Sequence, residues 1–176
     1  YTDIDRILSN VQWVIFRPEE CFGLRANISI RGTYADRSGK ITLMEDGVLI
    51  APGPYSASSA YYFPTAGRIA GVEVLKGPAA ISQGPYTIGG AINLLSTPIA
   101  DESGGLINQE LGEDGTSRTH IHYSLVGNNA AMLIESHTWQ TDGFDSIKGS
   151  SADTGFDKDD LVVKLRLNTD VNADVY

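Results

Sequence analysis

Apolar and polar residues alternate with a period of two in the C-terminal part of the chain. Residues 119–125 read THIHYSL and residues 161–167 read LVVKLRL. Because successive side chains of a β-strand point to opposite faces, each segment predicts a strand with one apolar and one polar face. Such strands occur in transmembrane barrels and in soluble sandwiches, so the alternation alone leaves both open.

The connections between the alternating segments favour the barrel. Residues 113–115 (EDG) and 127–130 (GNNA) predict tight turns, whereas residues 141–159 form a long, polar and acidic connection. Outer-membrane barrels have short turns on the periplasmic side and longer loops outside. Four strands are therefore predicted in this region. Four strands are too few to close a barrel, so the last one presents an unpaired edge.

The first 100 residues carry shorter elements separated by glycine and proline. The spacing of Ile4, Ile7 and Leu8 predicts a short amphipathic helix within residues 1–10. The change to longer alternating segments between Pro98 and Gly104 predicts an α+β domain over residues 1–100 and a strand region over residues 101–176. Expected in the first domain are strands over 11–16, 27–31, 41–44, 48–50, 72–75 and 91–96, a polar turn at 17–20, a hairpin turn at Asp46-Gly47 and a helical turn over 66–70.

Residues 72–97, VEVLKGPAAISQGPYTIGGAINLLST, form one glycine-rich unit in which a tight reversal joins two strands. A phosphate-binding loop is the first function to test, and the spacing excludes it. The dinucleotide pattern needs G-x-G-x-x-G opening a helix, and the P-loop needs Lys-Ser or Lys-Thr after its last glycine. The glycines are instead expected to permit close backbone packing and positive φ.

Several spaced motifs resemble the plug domain of TonB-dependent outer-membrane receptors of the ferric citrate or siderophore type. They are Asn27-Ile28-Ser29-Ile30-Arg31-Gly32, Met44-Glu45-Asp46-Gly47-Val48, Lys76-Gly77-Pro78, Gly84-Pro85 and Gly89-Gly90-Ala91-Ile92-Asn93. The resemblance continues past the plug into the first barrel strands. The sequence departs from the family at Gln12-Trp13-Val14, where Pro-Gly-Val is usual, and at Cys21, where glycine is usual.

The resemblance implies a plug followed by the first four strands of a 22-stranded barrel in the bacterial outer membrane. The implied function is energy-dependent uptake of a ferric chelate such as ferric citrate or a siderophore. The implied partners are that ligand, outer-membrane lipid and a TonB-type energy-transducing protein. That protein would act through an N-terminal segment outside these 176 residues, which predicts that the sequence belongs to a longer chain.

Two groups of residues are expected to form the functional sites of the plug. Arg31 and Lys76 are expected to lock the plug to carboxylates of the barrel wall, although lysine replaces the more usual arginine and loses bidentate geometry. Positive charge and tyrosine rings suit an anionic chelate, so two outward loops, residues 33–40 and 54–63, are expected to bind the ligand. The residues expected to bind the ligand are Arg37, Ser38, Lys40, Tyr55, Ser56, Tyr61 and Tyr62.

Composition restricts the partners. The net charge of −9 argues against nucleic acid. One cysteine, Cys21, cannot form an internal disulfide, and no apolar run is long enough for a transmembrane helix.

Three histidines are the remaining candidates for catalysis or metal binding. If Asn128 and Asn129 are the central turn residues, His120 lies opposite His137, and position 122 lies opposite position 135. We interpret these side chains as a polar lumen face and expect no metal site, no cofactor and no enzyme activity, since no G-x-S-x-G or H-E-x-x-H motif occurs. The alternatives are uptake of cobalamin or an oligosaccharide, a soluble β-rich binding module, and a metal-dependent hydrolase.

Overall fold

The computed structural model describes residues 7–18, 26–35, 38–50, 62–144 and 154–167. The chain divides into two compact units, Tyr1–Thr97 and Pro98–Tyr176. Among the described residues, the N-terminal unit carries a two-stranded antiparallel sheet, a four-stranded mixed sheet and the 3-10 turns named below. The C-terminal unit carries one antiparallel sheet of four long strands.

The four-stranded sheet of the N-terminal unit has the order β4-β3-β6-β5. Strands β3 and β6 are parallel, and the other pairs in this sheet are antiparallel. Strands β1 and β2 pair separately. The strands are β1 (Val14–Pro18), β2 (Ala26–Ile30), β3 (Ile41–Glu45), β4 (Val48–Leu49), β5 (Ile69–Lys76) and β6 (Gly90–Ser96), and the 3-10 turns are Ala66–Arg68 and Pro78–Gln83.

The core of this unit lies among the two sheets and the N-terminal segment. Most of its buried side chains come from neighbouring strands, because a β-strand offers alternate residues to one face, and Leu8, Ile50 and Phe63 join them from outside the strands. Only the end of the predicted first helix falls within the described residues, where Ile7 and Leu8 are helical. The buried cluster consists of Leu8, Val14, Ile28, Ile30, Ile41, Leu43, Ile50, Phe63, Ile92 and Leu94.

The predicted hairpin at Asp46-Gly47 is confirmed. Both residues have positive φ, +48° and +80°, which is the type I′ geometry that Asp-Gly favours between two strands. The turn is also fixed to β6, since Asp46 N donates to Leu94 O at 3.0 Å and Gly47 N donates to Asn93 Oδ1 at 2.9 Å. Ser96 donates to the Asp46 carboxylate from its backbone N at 2.9 Å and from its Oγ at 2.5 Å. The turn therefore ties the ends of the parallel pair together.

The first strand begins later than the sequence predicts, at Val14 instead of residue 11. Residues 8–14 form successive turns instead, with Val11 N donating to Leu8 O and Val14 N donating to Val11 O. The second turn places Trp13 at φ +66° with its side chain 73% exposed. The strand then extends through Pro18, which was expected in a turn but pairs with Ala26 at the strand end.

We expect Trp13→Gly to stabilise the N-terminal unit. A non-glycine residue in the left-handed region costs about 1 to 2 kcal/mol, and the added entropy of glycine in the unfolded chain offsets about 0.5 to 1 kcal/mol of that. The net gain is expected to be about 0.5 to 1 kcal/mol, measured by thermal unfolding of the full-length protein. Trp13→Ala is the control, since it removes the ring but keeps the Cβ; an equal gain in both variants would contradict the conformational explanation.

The C-terminal unit confirms the four predicted strands. They are β7 (Gly104–Leu111), β8 (Ser117–Val126), β9 (Ala130–Thr141) and β10 (Phe156–Leu167), in the antiparallel order β10-β9-β8-β7. Within the described residues this sheet is open. One face exposes aliphatic side chains such as Leu161 and Val163, 70% and 60% exposed, whereas the other buries polar residues such as Glu135 and His137.

The predicted register of β8 and β9 is also confirmed. His120 pairs with His137, and His122 pairs with Glu135. Gly127 N donates to Ala130 O at 2.9 Å, which closes a turn with Asn128 and Asn129 at its centre. A two-residue turn fixes every later pair of an antiparallel hairpin, so the register follows from the turn alone.

Cross-linking tests this register in the full-length protein. In a Cys21→Ser background, His122→Cys with Glu135→Cys should form a disulfide readily, since directly opposed residues have Cβ atoms within about 5.5 Å. His122→Cys with Ile134→Cys is the control, because position 134 points to the opposite face. Stronger cross-linking in the control pair, read by mobility on non-reducing gels, would show a register slipped by one residue.

Candidate functional site

The glycines between β5 and β6 allow close backbone contact. Gly90 has φ +147°, and a Cβ placed on it would lie closer than 3.0 Å to Leu75 O, the carbonyl of the neighbouring strand. A Cβ on Gly89 would lie 3.0 Å from Thr33 Oγ1 and 3.1 Å from Ile41 Cγ2. The packing role expected for these glycines from the sequence is thus observed.

The connection between β5 and β6 is also hydrogen-bonded to the C-terminal end of the first predicted ligand loop, residues 33–40. Gly89 N donates to Lys40 O at 2.8 Å, and Thr42 Oγ1 donates to Pro85 O. Lys40 has an exposed side chain, and Tyr34 at the other end of the described part of this loop is 74% exposed. The loop therefore presents a cation and an aromatic ring to solvent from a fixed base.

Ser38, predicted to bind the ligand, is completely buried. Its Oγ accepts a hydrogen bond from Ile28 N at 2.9 Å, so this hydroxyl satisfies a buried backbone donor of β2. The structure thus gives Ser38 a packing role inside the unit, unlike the solvent-facing position expected of a ligand-binding residue. The predicted ligand residues Arg37, Tyr55, Ser56 and Tyr61 lie outside the described residues.

Tyr62, the remaining predicted ligand residue, belongs to a polar cluster that sequence reasoning missed. The Arg68 guanidinium pairs with both carboxylate oxygens of Glu45, from Nη1 to Oε1 and from Nη2 to Oε2 at 3.1 Å. Arg68 Nη2 also donates to the Tyr62 hydroxyl at 2.7 Å, and that hydroxyl lies 3.4 Å from Glu45 Oε2. Arg68 is 3% exposed, whereas Tyr62 keeps 44% of its surface exposed.

The two predicted locking cations lie near each other at the β1–β2 end of the N-terminal unit. Arg31 has φ +57°, and its N donates to Trp13 O at 2.9 Å. Its guanidinium lies beside Gly77, where an added Cβ would be 3.1 Å from Nη1. Lys76, the neighbour of Gly77, donates from Nζ to Gln12 O at 2.5 Å. Both residues thus contact the turn at Gln12-Trp13 that precedes β1, Arg31 through its backbone N and Lys76 through its side chain.

The histidines of the C-terminal unit form a compact group. His120 Nε2 lies 2.7 Å from Glu135 Oε1, and the His120 ring centroid lies 5.4 Å from that of His122 and 5.6 Å from that of His137. In the part of the chain that the structure describes, no group of three His, Cys, Asp or Glu side chains is arranged to hold a metal ion. The cluster is a hydrogen-bonded polar patch on the face opposite the exposed aliphatic residues.

A cation–aromatic stack lies on the same face. The Arg118 guanidinium carbon is 4.1 Å from the Trp139 ring centroid, and Trp139 meets Phe156 edge to face with centroids 5.0 Å apart. Arg118 Nη1 also lies 3.6 Å from Glu110 Oε2. These contacts connect all four strands of the sheet across one face.

Known proteins match both units. A family model described as the TonB-dependent receptor plug domain matches residues 1–91. The ferric yersiniabactin uptake receptor FyuA from Yersinia pestis has a TM-score of 0.70 and 21% identity over 94% of this chain and 26% of its own. The siderophore receptor PirA from Acinetobacter baumannii has a TM-score of 0.65 and 20% identity over 97% of this chain and 27% of its own.

The pyoverdine outer-membrane receptor FpvA from Pseudomonas aeruginosa PAO1 has a TM-score of 0.63 and 19% identity. This match covers 80% of the present chain and 20% of FpvA. The present chain therefore spans about a quarter or less of the length of these receptors. Within the described residues, no helix has the length and apolar character needed to cross a membrane. TonB-dependent receptors are outer-membrane transporters and not enzymes. The chain belongs to the TonB-dependent receptor plug domain family and combines an α+β plug with the first antiparallel strands of a transmembrane β-barrel.

Proposed function

We propose that the full-length protein takes up a ferric chelate, ferric citrate or a siderophore, with energy from a TonB-type complex of the inner membrane. The observation that carries this proposal is the plug fold followed directly by barrel strands, over a chain matched by the plug family. The matched structures in which a ligand is named are receptors for ferric yersiniabactin, pyoverdine and ferric enterobactin. These names support an iron chelate as the ligand class.

The ligand would meet the plug at the two outward loops, residues 33–40 and 54–63. Lys40 and Arg37 would attract an anionic chelate, and Tyr55, Tyr61 and Tyr62 would offer rigid amphipathic rings. The exposed Lys40 side chain supports the part of the first loop in this arrangement, whereas Tyr62 lies at the other end of β3, beside Glu45. Residue 56 would add a hydroxyl from the second loop.

Arg31 and Lys76 would hold the plug in the closed receptor by pairing with carboxylates of the barrel wall. Their common position beside Gly77 supports the proposal. A charge enclosed between plug and wall needs a charged partner, because an unpaired buried charge costs several kcal/mol.

A binding panel tests the ligand class. Full-length receptor in detergent is titrated with ferric citrate, ferric pyoverdine, ferric enterobactin and ferric yersiniabactin, and intrinsic tryptophan fluorescence is followed. We expect saturable binding of one ferric chelate and weaker binding of the same chelator without iron. Saturable binding of cobalamin or an oligosaccharide, with no response to any ferric chelate, would contradict the proposal and indicate uptake of that other ligand.

The combined variant Arg37→Ala with Tyr55→Ala tests the ligand surface. Loss of a charge-assisted contact should weaken binding of that chelate by about 1 to 3 kcal/mol, without lowering the amount of folded receptor. Tyr123→Ala is the control, because Tyr123 lies on the aliphatic face of the barrel sheet. Unchanged affinity in the correctly folded double variant would show that these loops are not part of the ligand site. Loss of folded protein would indicate that the two side chains have a packing role.

A further inference from the structure

The connection between β5 and β6 carries an exposed tyrosine in a strained backbone conformation. Tyr86 has φ +64°, and it is 54% exposed. Non-glycine residues rarely adopt this left-handed conformation, because their Cβ comes too close to the following carbonyl oxygen. Residues held in such conformations cluster at ligand clamps, active sites and switch regions. Strain in an exposed aromatic residue therefore marks this turn as a candidate ligand site.

The backbone on both sides of Tyr86 is held to the start of β3. The Pro85 carbonyl accepts a hydrogen bond from Thr42 Oγ1, and Thr42 is itself buried. On the other side, Gly89 N donates to Lys40 O at 2.8 Å. Tyr86 lies between these two anchor points, so its neighbours fix the turn while its own side chain stays exposed to solvent.

Strand topology places Tyr86 at the same end of the sheet as the first predicted ligand loop, residues 33–40. Strands β3 and β6 are parallel, and Ile41 pairs with Gly90. Parallel strands begin at the same edge of a sheet. The loop that precedes β3 and the connection that precedes β6 therefore lie next to each other at this edge.

Gly89 is the point where the two segments meet. Both ends of the loop contact it, Lys40 through its carbonyl and Thr33 through Oγ1, which would lie 3.0 Å from a Cβ on Gly89. Tyr86 precedes Gly89 by three residues, and three residues span at most about 11 Å. The side chains of Lys40 and Tyr86 are both exposed, so a ligand bound over this end of the plug can contact both.

We infer that residues 84–89 form a further wall of the ligand site and that Tyr86 contacts the ferric chelate beside Lys40. The inference rests on the proposed function for its ligand, and it goes beyond that function by assigning a segment outside the two loops. Lys40 supplies positive charge to an anionic chelate, and the tyrosine supplies a rigid apolar face with a hydroxyl that donates to a chelate oxygen. The anchored turn holds the ring in place before the ligand arrives, which lowers the entropy lost on binding.

A paramagnetic metal tests the contact. Full-length receptor labelled with 3-fluorotyrosine is studied by ¹⁹F NMR, with Tyr86→Phe identifying the Tyr86 signal. The ferric chelate retained in the panel should broaden this signal, because Fe³⁺ is paramagnetic and its effect falls steeply with distance. The same chelator loaded with diamagnetic Ga³⁺ is the control for binding alone. A Tyr86 signal that the ferric chelate broadens no more than the gallium chelate does would overturn the inference.

Affinity and stability together separate a ligand contact from a packing role. Tyr86→Gly relieves the left-handed strain, so it should raise the melting temperature and still weaken binding of the same ferric chelate at least about tenfold. Tyr86→Phe keeps the ring and loses the hydroxyl, so it should weaken binding about 2- to 10-fold. Val48→Ala is the control, since Val48 is an exposed residue that pairs with Glu45 at the other end of β3, and its affinity should equal that of the unmodified receptor.

The outcomes separate the inference from the proposed function. Wild-type affinity in folded Tyr86→Gly would overturn the inference while the receptor still binds its chelate. A lower melting temperature in Tyr86→Gly, with unchanged affinity of the folded fraction, would show that the ring packs against another part of the receptor and would also overturn the inference. Failure of the unmodified receptor to bind any ferric chelate would overturn the proposed function, and the inference with it.

Discussion

Gly90→Ala is expected to prevent the plug from folding. Gly90 pairs with Lys76 at the start of β6, and a Cβ there would overlap the backbone carbonyl oxygen of Leu75 on the neighbouring strand. The φ of +147° is also one that L-residues rarely adopt. A backbone atom cannot move aside as a flexible side chain can, so β5 and β6 would have to separate. We expect a loss of more than about 4 kcal/mol.

Amide hydrogen exchange of full-length receptor measures this loss. Peptides from β3, β5 and β6 should exchange at least about 10²- to 10³-fold faster in Gly90→Ala, since each 1.4 kcal/mol is a factor of about ten. Gly71→Ala is the matched control in the same sheet, because an added Cβ there meets Leu95 Cδ1 at an ordinary 3.4 Å. Equal protection in the two variants would contradict the close approach of β5 and β6.

Arg68→Ala is expected to have the second largest effect. The change removes one partner of a largely buried ion pair and leaves the Glu45 carboxylate without its bidentate partner. Breaking such a pair costs about 3 to 5 kcal/mol, and we expect the lower end because Glu45 keeps some contact with solvent. The same exchange experiment should show faster exchange around β3 and around the 3-10 turn that precedes β5.

The control for this prediction is Asp101→Ala. Asp101 is 99% exposed, and its carboxylate lies 3.9 Å from Arg166, so its removal should change stability by less than about 1 kcal/mol. An Arg68→Ala plug that is as protected as the Asp101→Ala plug would show that the buried pair contributes little to stability.

The features that could be predicted from the sequence depend on interactions between residues close together in the chain. Asp46-Gly47 predicts a type I′ turn because both residues tolerate positive φ, and the turn has that geometry. Asn128 and Asn129 set the register of β8 and β9 by counting from a two-residue turn. Alternation predicted the two faces of the barrel sheet, since the strand period is two whatever surrounds the strand.

The features that could not be predicted from the sequence depend on contacts between residues far apart in the chain. Arg68 and Glu45 are 23 residues apart. They meet because β3 lies parallel to β6, a pairing across 49 positions from Ile41 to Gly90 that no local pattern encodes. The one available signal was a charged residue bordering an apolar strand at each position. Ser38 shows the opposite failure, because a serine in a polar loop looks exposed until its contact with Ile28 N is known.

Trp13 shows how a departure from a family pattern carries structural information. The position where the family usually has glycine holds a tryptophan here, and the backbone keeps a positive φ of +66°. The turn is imposed by its surroundings, including the hydrogen bond from Arg31 N to Trp13 O. Glycine adopts a positive φ without steric cost, whereas the tryptophan at position 13 is strained by it.

Energy-dependent uptake of iron by cells tests the central claim most directly. The full-length gene is expressed in a bacterium that lacks its own receptors for the chelate identified in the binding panel, and accumulation of radioactive ferric chelate is measured. We predict accumulation that requires both this receptor and the TonB-type protein, and that falls to background when either is deleted. Accumulation that continues unchanged without the TonB-type protein would contradict the account.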